Sequence, residues 1–261
     1  ETVKNIYGTG KGFGGKSSLL PEQLFVMRMD EFMKRRYEFR FNQLTNVVEY
    51  RERNSFNFYF RPIDKRVMAS IAMNGLYEGI KLWDKDVVRY LSSDHVPVYQ
   101  PVEEYLYDLP HWDGKDHIRD LAERVPCDNP YWAQLFRRWF LGMVAHWRGL
   151  NKRYANSTSP LLIGPQAYRK STFCRLILPP CLQAYYTDSI DFSRKRDAEL
   201  YLNRFLLINM DEFDQIGMNQ QAFLKHILQK PVVNTRRPNA SAVESLRRYA
   251  SFIGTSNHKD L

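Results

Sequence analysis

No stretch of this sequence stays apolar for anything near the ~20 residues that a membrane-crossing helix requires, so such a helix is excluded. Cysteine is scarce too. Cys127, Cys174 and Cys181 are the only three, with no C-x-x-C spacing and no paired histidines to complete a site. That argues against a disulfide framework and a structural zinc site, and it makes the cytoplasm the expected compartment. Acid is in deficit: 29 Asp and Glu stand against 38 Lys and Arg, a net charge of +9. A surplus of cations favours an anionic partner, nucleic acid first. His111 and His117, beside Asp113 and Asp116, read as a polar turn ahead of a helix and not as metal ligands.

What the sequence does contain is two candidate phosphate-binding loops. GKGFGGKS at residues 10–17 matches G-x-x-x-x-G-K-[ST] at every letter, whereas GPQAYRKS at 164–171 has Arg169 where the second glycine belongs. Such a loop works because a strand ends, the backbone curls its N–H groups around a phosphate, and a helix begins. Residues 1–9 are too polar for a buried strand, and Pro21 interrupts any helix begun at Ser17. Residues 1–20 therefore read as a flexible linker. The second loop has the right setting. An apolar run at 159–163 precedes it, and KSTFCRLIL at 170–178 reads as a helix stopped by Pro179 and Pro180. Gly164, Gln166, Ala167, Tyr168, Arg169, Lys170, Ser171 and Thr172 are the expected ATP-binding set. Lys170 would reach the terminal phosphates, and the Ser171 hydroxyl would ligate Mg2+. Ala167 and Arg169 put side chains where glycine usually permits close phosphate approach.

Two later segments support this site. Residues 204–212, RFLLINMDE, form a buried-strand run ending in two acids. Asp211 would hold Mg2+ through water, and Glu212 would polarise an attacking water. Residues 249–257, YASFIGTSN, form a third short strand ending in Asn257; in many ATPases of the AAA+ kind such an asparagine sits beside the last phosphate and helps orient that water. Lys170, Glu212 and Asn257 are thus the candidate catalytic residues. The ordered set is more specific than any one member.

Residues from about 100 to 261 resemble the virulence-associated protein E family of bacterial mobile elements and prophages, relatives of superfamily III helicases and phage primase–helicases. The resemblance rests on VEEYL at 102–106, LPHWDG at 109–114, GPQAYRKSTF at 164–173 and DAEL at 197–200. It continues through MDEF at 210–213, Leu224-Lys225, Arg236-Arg237-Pro238 and FIGTSN at 252–257. It implies an α/β P-loop NTPase core of the AAA+ or superfamily III helicase kind, binding ATP and Mg2+. It implies a homo-oligomer, a hexameric ring in the full-length protein, acting on DNA. In that family a DNA-contacting hairpin lies between the acidic and asparagine strands. Here its arms would be residues 232–237 and 246–251, with Lys230, Arg236, Arg237, Arg247 and Arg248 on DNA phosphates. Such contacts are independent of sequence and weaken steeply with salt.

Four segments follow from composition and periodicity: the linker at 1–20, a small α+β accessory domain at 21–104, a helical segment at 105–150 and the ATPase core at 151–261. The accessory domain reads as a helix at 22–36, strands at 37–41 and 47–50, and a strand extension at 57–60. Helices near 63–75 and 83–92 follow. In the helical segment Trp132, Phe136, Trp139, Phe140, Met143 and Trp147 recur at helical spacing, a packing stripe expected to dock the accessory domain on the core. The chain starts at Glu1 and stops at Leu261, so the expectation is a fragment whose arginine finger lies further on. A second reading keeps the same residues as a DNA-binding or scaffold module with a decayed nucleotide site.

Overall fold

In the computed structural model the described residues are 19–236 and 242–258. They form two units, one of residues up to Phe41 together with Val47–Val98, the other of Asn42–Asn46 and Tyr99 onward.

The first unit begins with α1, Pro21–Arg36. Proline suits the first helical turn because its missing N–H has no partner there anyway, and Gln23 reaches back to accept from the Leu20 N–H at 2.9 Å. Lys34, Arg35 and Arg36 close the helix with the charge its carbonyl end favours. Strands β1 (Tyr37–Asn42), β2 (Val47–Glu52), β3 (Arg61–Pro62) and β4 (Val98–Tyr99) form a sheet ordered β3-β2-β1-β4. Helices α2 (Lys65–Tyr77) and α3 (Asp84–Leu91) complete the unit, and Asp64 caps α2 by accepting from the Val67 N–H at 2.8 Å. Phe32, Met33, Phe39, Ile71, Leu82 and Val87 form its core. Gly75 is required there: a Cβ would stand 2.9 Å from Cβ of Leu82. The strand extension expected at 57–60 does not form. Pairing with β2 passes to Arg61–Pro62, where proline is tolerated because β3 is an edge.

The second unit is a three-layer α/β structure. Helices α4 (Pro101–Tyr107), α5 (His117–Ala122) and α6 (Trp132–Trp147) precede the sheet. Strands β5 (Leu161–Ile163), β6 (Tyr186–Thr187), β7 (Leu207–Met210) and β10 (Ser251–Ser256) pair in the order β5-β10-β7-β6, every pair parallel. The two central strands are buried throughout, as strands covered on both faces must be. One face carries α6 and α7 (Lys170–Leu176), around Phe136, Trp139, Cys174, Leu207 and Ile253. The aromatic stripe of α6 is therefore core of this unit. Trp139 and Trp147 also donate their indole N–H groups to the carbonyls of Phe252 and Leu206, at 3.0 and 3.3 Å. The opposite face carries α8 (Lys195–Arg204), α9 (Met218–Gln229) and an antiparallel hairpin of β8 (Val232–Thr235) and β9 (Glu244–Arg247).

Candidate functional site

All strands of the second sheet run in one direction, so the chain leaves β5, β7 and β10 at the same edge. In an open parallel sheet, ligands bind in the crevice beyond these carboxyl ends. Register sets the details. Gly254 is level with both Leu161 and Met210, which brings Gly164, Asp211 and Asn257 to one rim although they are far apart in sequence.

At that rim the Lys170 ammonium donates to the carbonyls of Gly164 and Pro165, at 2.6 and 2.8 Å, and to Oδ1 of Asn257 at 3.0 Å. The Ser171 hydroxyl donates to Oδ1 of Asp211 at 3.0 Å, and the Thr255 hydroxyl donates to the same oxygen. Residues Gln166 to Thr172, with Asp211, Glu212, Thr255, Ser256 and Asn257, line a cleft of about 270 Å3. Gly164 is not part of that lining and contributes its carbonyl to Lys170 instead.

The backbone is strained at this place. Only four non-glycine residues among those described have positive φ, and three are in the cleft: Ala167 at 70°, Arg169 at 57° and Glu212 at 50°. The left-handed region costs an L-residue roughly 1–2 kcal/mol. Ala167 and Arg169 are the positions where the sequence lacks glycine, so the loop keeps the turn that glycine ordinarily serves. Strain of this kind gathers at binding sites, where the surrounding structure holds it.

Two neighbours went unnoticed in the sequence. Thr255 fixes Asp211, as above. Ser256 donates to Oδ1 of Asp214 at 2.9 Å, which holds the Asp214 carboxyl below its ordinary range. The available signal was the hydroxyl pair preceding Asn257, since residues ending a buried strand meet the strand beside them. Cys174, one turn beyond Ser171, is fully buried and its thiol is pushed up to about 12 by desolvation, so it is inert packing.

The rival loop at residues 10–17 lies outside the described residues, as do Arg237 and residues 238–241 between the expected hairpin arms. The hairpin itself forms, but its second arm is β9, four residues beginning at Glu244, and Ser251 already belongs to the central sheet. One of the expected DNA contacts, Arg248, is corrected. Arg248 is 1% exposed, and Nη1 donates to the carbonyls of Ile227, Leu228 and Lys230 at 2.7–3.0 Å. Nε donates to Ala250. It closes the carbonyl end of α9 and has no face for a phosphate. Arg247 bonds the Trp147 carbonyl and lies over the Tyr249 ring, and Lys230 pairs with Glu199 at 2.5 Å. Arg236 stands at the end of β8, its carbonyl accepting from Arg196.

Among the described residues no three His, Cys, Asp or Glu side chains gather into a metal cage. His117 instead meets Asp113 at 2.9 Å on the surface, and Asp116 caps α5 by accepting from the Arg119 N–H. Also among them, no helix is long and apolar enough to cross a membrane.

Comparison with known proteins adds the following. A family model described as the virulence-associated protein E-like domain matches residues 106–261, more than half of the chain. The A-form apo structure of the NrS-1 C-terminal region superposes with a TM-score of 0.50 at 14% identity, over 88% of this chain and 56% of that one. A further apo structure of the same region gives 0.50 at 13% identity, over 90% and 57%. This chain thus spans a little over half the length of those structures, and identities this low speak to fold alone. No curated protein matches it.

Proposed function

This chain belongs to the virulence-associated protein E-like family, and from that premise we propose that its second unit is a Mg2+-dependent ATPase module of a DNA replication protein. The reading is that of a P-loop core related to superfamily III helicases. The observation that carries it is the meeting of Lys170, Ser171, Asp211, Glu212 and Asn257 at one edge of a parallel sheet.

The ammonium of Lys170 stands among three oxygen acceptors. Phosphate oxygens are stronger acceptors, and exchanging a neutral carbonyl for one makes a charge-assisted bond. Backbone N–H groups of the loop at 167–169, left-handed at Ala167 and Arg169, would supply further donors. Ser171 and Asp211 offer one hydroxyl and one carboxylate, oxygens only. That fits Mg2+, which takes one or two protein carboxylates and leaves its other positions to water and phosphate. Bound there, the ion would neutralise charge on the phosphates. Glu212 lines the cleft and is exposed, free to orient a water and accept its proton. As the water oxygen bonds to the terminal phosphorus, the bond to the bridging oxygen breaks and ADP carries away the electron pair. Asn257 keeps Lys170 aligned and offers an amide to the same region.

The decayed-site alternative predicts a loop relaxed away from phosphate-binding geometry. Ala167 and Arg169 held in left-handed backbone favour the operating site. ATP binding and DNA-stimulated hydrolysis, measured on wild type, Lys170→Ala and Glu212→Gln, test the proposal. Loss of binding in the first and of turnover in the second is expected; equal activity in all three sinks it.

A further inference from the structure

The loop joining β2 to β3 holds three aromatic rings in water. Phe56 is 99% exposed, Phe58 72% and Tyr59 81%. Its backbone is nevertheless tied down. Ser55 Oγ accepts from the Asn57 N–H at 3.1 Å, and Asn57 Oδ1 accepts from the Tyr59 N–H at 3.2 Å. Arg51 donates to the Phe58 carbonyl at 3.1 Å. The next ring, Phe60, is clamped: the guanidinium carbons of Arg40 and Arg51 lie 4.0 and 4.7 Å from its centroid. Those arginines are fixed by Glu49 and Glu38, at 2.6 and 2.8 Å. An anchored loop that presents three rings outward gains nothing for the fold from them, and such a patch marks an interaction surface.

Charge identifies the partner. No Asp or Glu occurs from Arg53 to Ile63, and Asp64 is engaged as the cap of α2. Arg61, Lys65 and Arg66 are exposed and form no ion pair with an acid among the described residues; Arg61 leans on the neutral Tyr50, 5.5 Å from its ring centroid and 3.4 Å from its hydroxyl, which leaves its charge uncompensated. Rings interleaved with unmatched cations fit a polymer that alternates flat apolar faces with negative charge. Single-stranded nucleic acid is such a polymer, because each base has a stackable face and each linkage a phosphate. A duplex keeps its base faces stacked inside, and an apolar protein surface leaves the cations unmatched.

We propose that the β2–β3 loop is a stacking platform for single-stranded nucleic acid, with Phe56, Phe58 and Tyr59 on bases and Arg61 and Lys65 on phosphates. The site lies wholly in the first unit and does not rest on the ATPase reading. It is tested with the whole chain, without nucleotide, by fluorescence anisotropy on labelled oligo-dT and oligo-rU of ~20 nucleotides, longer than one such platform covers. Each of Phe56→Ala, Phe58→Ala and Tyr59→Ala weakens binding roughly five- to a hundred-fold, the worth of one stacked base. The salt dependence stays that of wild type, whereas Arg61→Ala or Lys65→Ala lowers its slope by about 0.7. Phe58→Trp keeps a ring and keeps affinity, which separates stacking from damage to the loop. Preference for one oligomer identifies DNA or RNA as the source. Unchanged affinity in the alanine variants overturns the proposal. So does equal binding of an abasic strand or a duplex, or failure to bind either oligomer.

Discussion

The ammonium of Lys170 lies 3.0 Å from the amide oxygen of Asn257, a residue 87 positions further along the chain. That contact ties the loop after β5 to the end of β10, the strand beside it in the sheet. It also orders the consequences of mutation. On the proposed function, Lys170→Ala removes the phosphate-binding charge and abolishes ATP binding. Asn257→Ala leaves binding in place and lowers turnover by roughly 10²-fold, the typical effect of losing one aligned donor. Calorimetric ATP titration paired with steady-state hydrolysis separates the two. Equal loss of binding in both variants contradicts the assignment.

Ala167 has φ of 70°, so the side chain placed there should be felt through the backbone. Ala167→Gly relieves strain but gives the unfolded chain more freedom, for a net gain of up to about 1 kcal/mol. Ala167→Val sets a β-branched residue in the left-handed region and costs roughly 1–2 kcal/mol more than alanine. Urea denaturation reads both. A glycine variant less stable than the valine one would show that the loop does not hold this conformation.

His146 is fully buried; its Nε2 accepts from the Asn156 N–H at 2.8 Å, and burial, with Arg248 and Arg247 nearby, pushes its pKa down to about 4. The folded protein thus keeps His146 neutral while the unfolded chain protonates it below its ordinary ~6.5. The unfolded state binds more protons between those values, so stability falls as pH drops through that window, by up to ~1.4 kcal/mol per unit. Denaturation at about pH 7.5 and pH 5, compared with His146→Gln, isolates this residue from the carboxylates. An identical pH loss in both proteins rejects the prediction.

Arg248 should report stability and not DNA affinity. Arg248→Ala strands the carbonyls at the end of α9 and opens a cavity, costing about 1–3 kcal/mol for a buried acceptor left unsatisfied, with the cavity adding to it. Arg236→Ala, at the exposed end of β8, stays within about 0.5 kcal/mol of wild type. Thermal melting of the two variants decides. A fully stable Arg248→Ala protein that binds DNA poorly would restore the reading in which Arg248 contacts phosphate.

Much of this was legible in the residues. Strands β5, β7 and β10 stand out as short apolar runs because central parallel strands are covered on both faces. The helix at Trp132–Trp147 is visible in its spacing. Patterns failed where a distant partner decides. NFYF at 57–60 carries strand-like residues, yet β2 pairs with the next two residues and leaves Phe58 and Tyr59 unpacked. Arg236, Arg247 and Arg248 look alike in a basic run, and only the carbonyls ending α9 select Arg248 for burial.

By itself, then, the sequence determined the local elements and the chemical types at their ends: lysine and serine after one strand, two acids after another, asparagine after a third. These depend on hydrophobic period and on neighbours a few residues away. The tertiary structure alone decided that β10, last of the sheet strands in the chain, inserts between β5 and β7. That order arises from long-range pairing and from two buried faces packed at once, which no local pattern encodes. It is what brings Asn257 to Lys170 and Thr255 to Asp211, and so turns three separate motifs into one cleft.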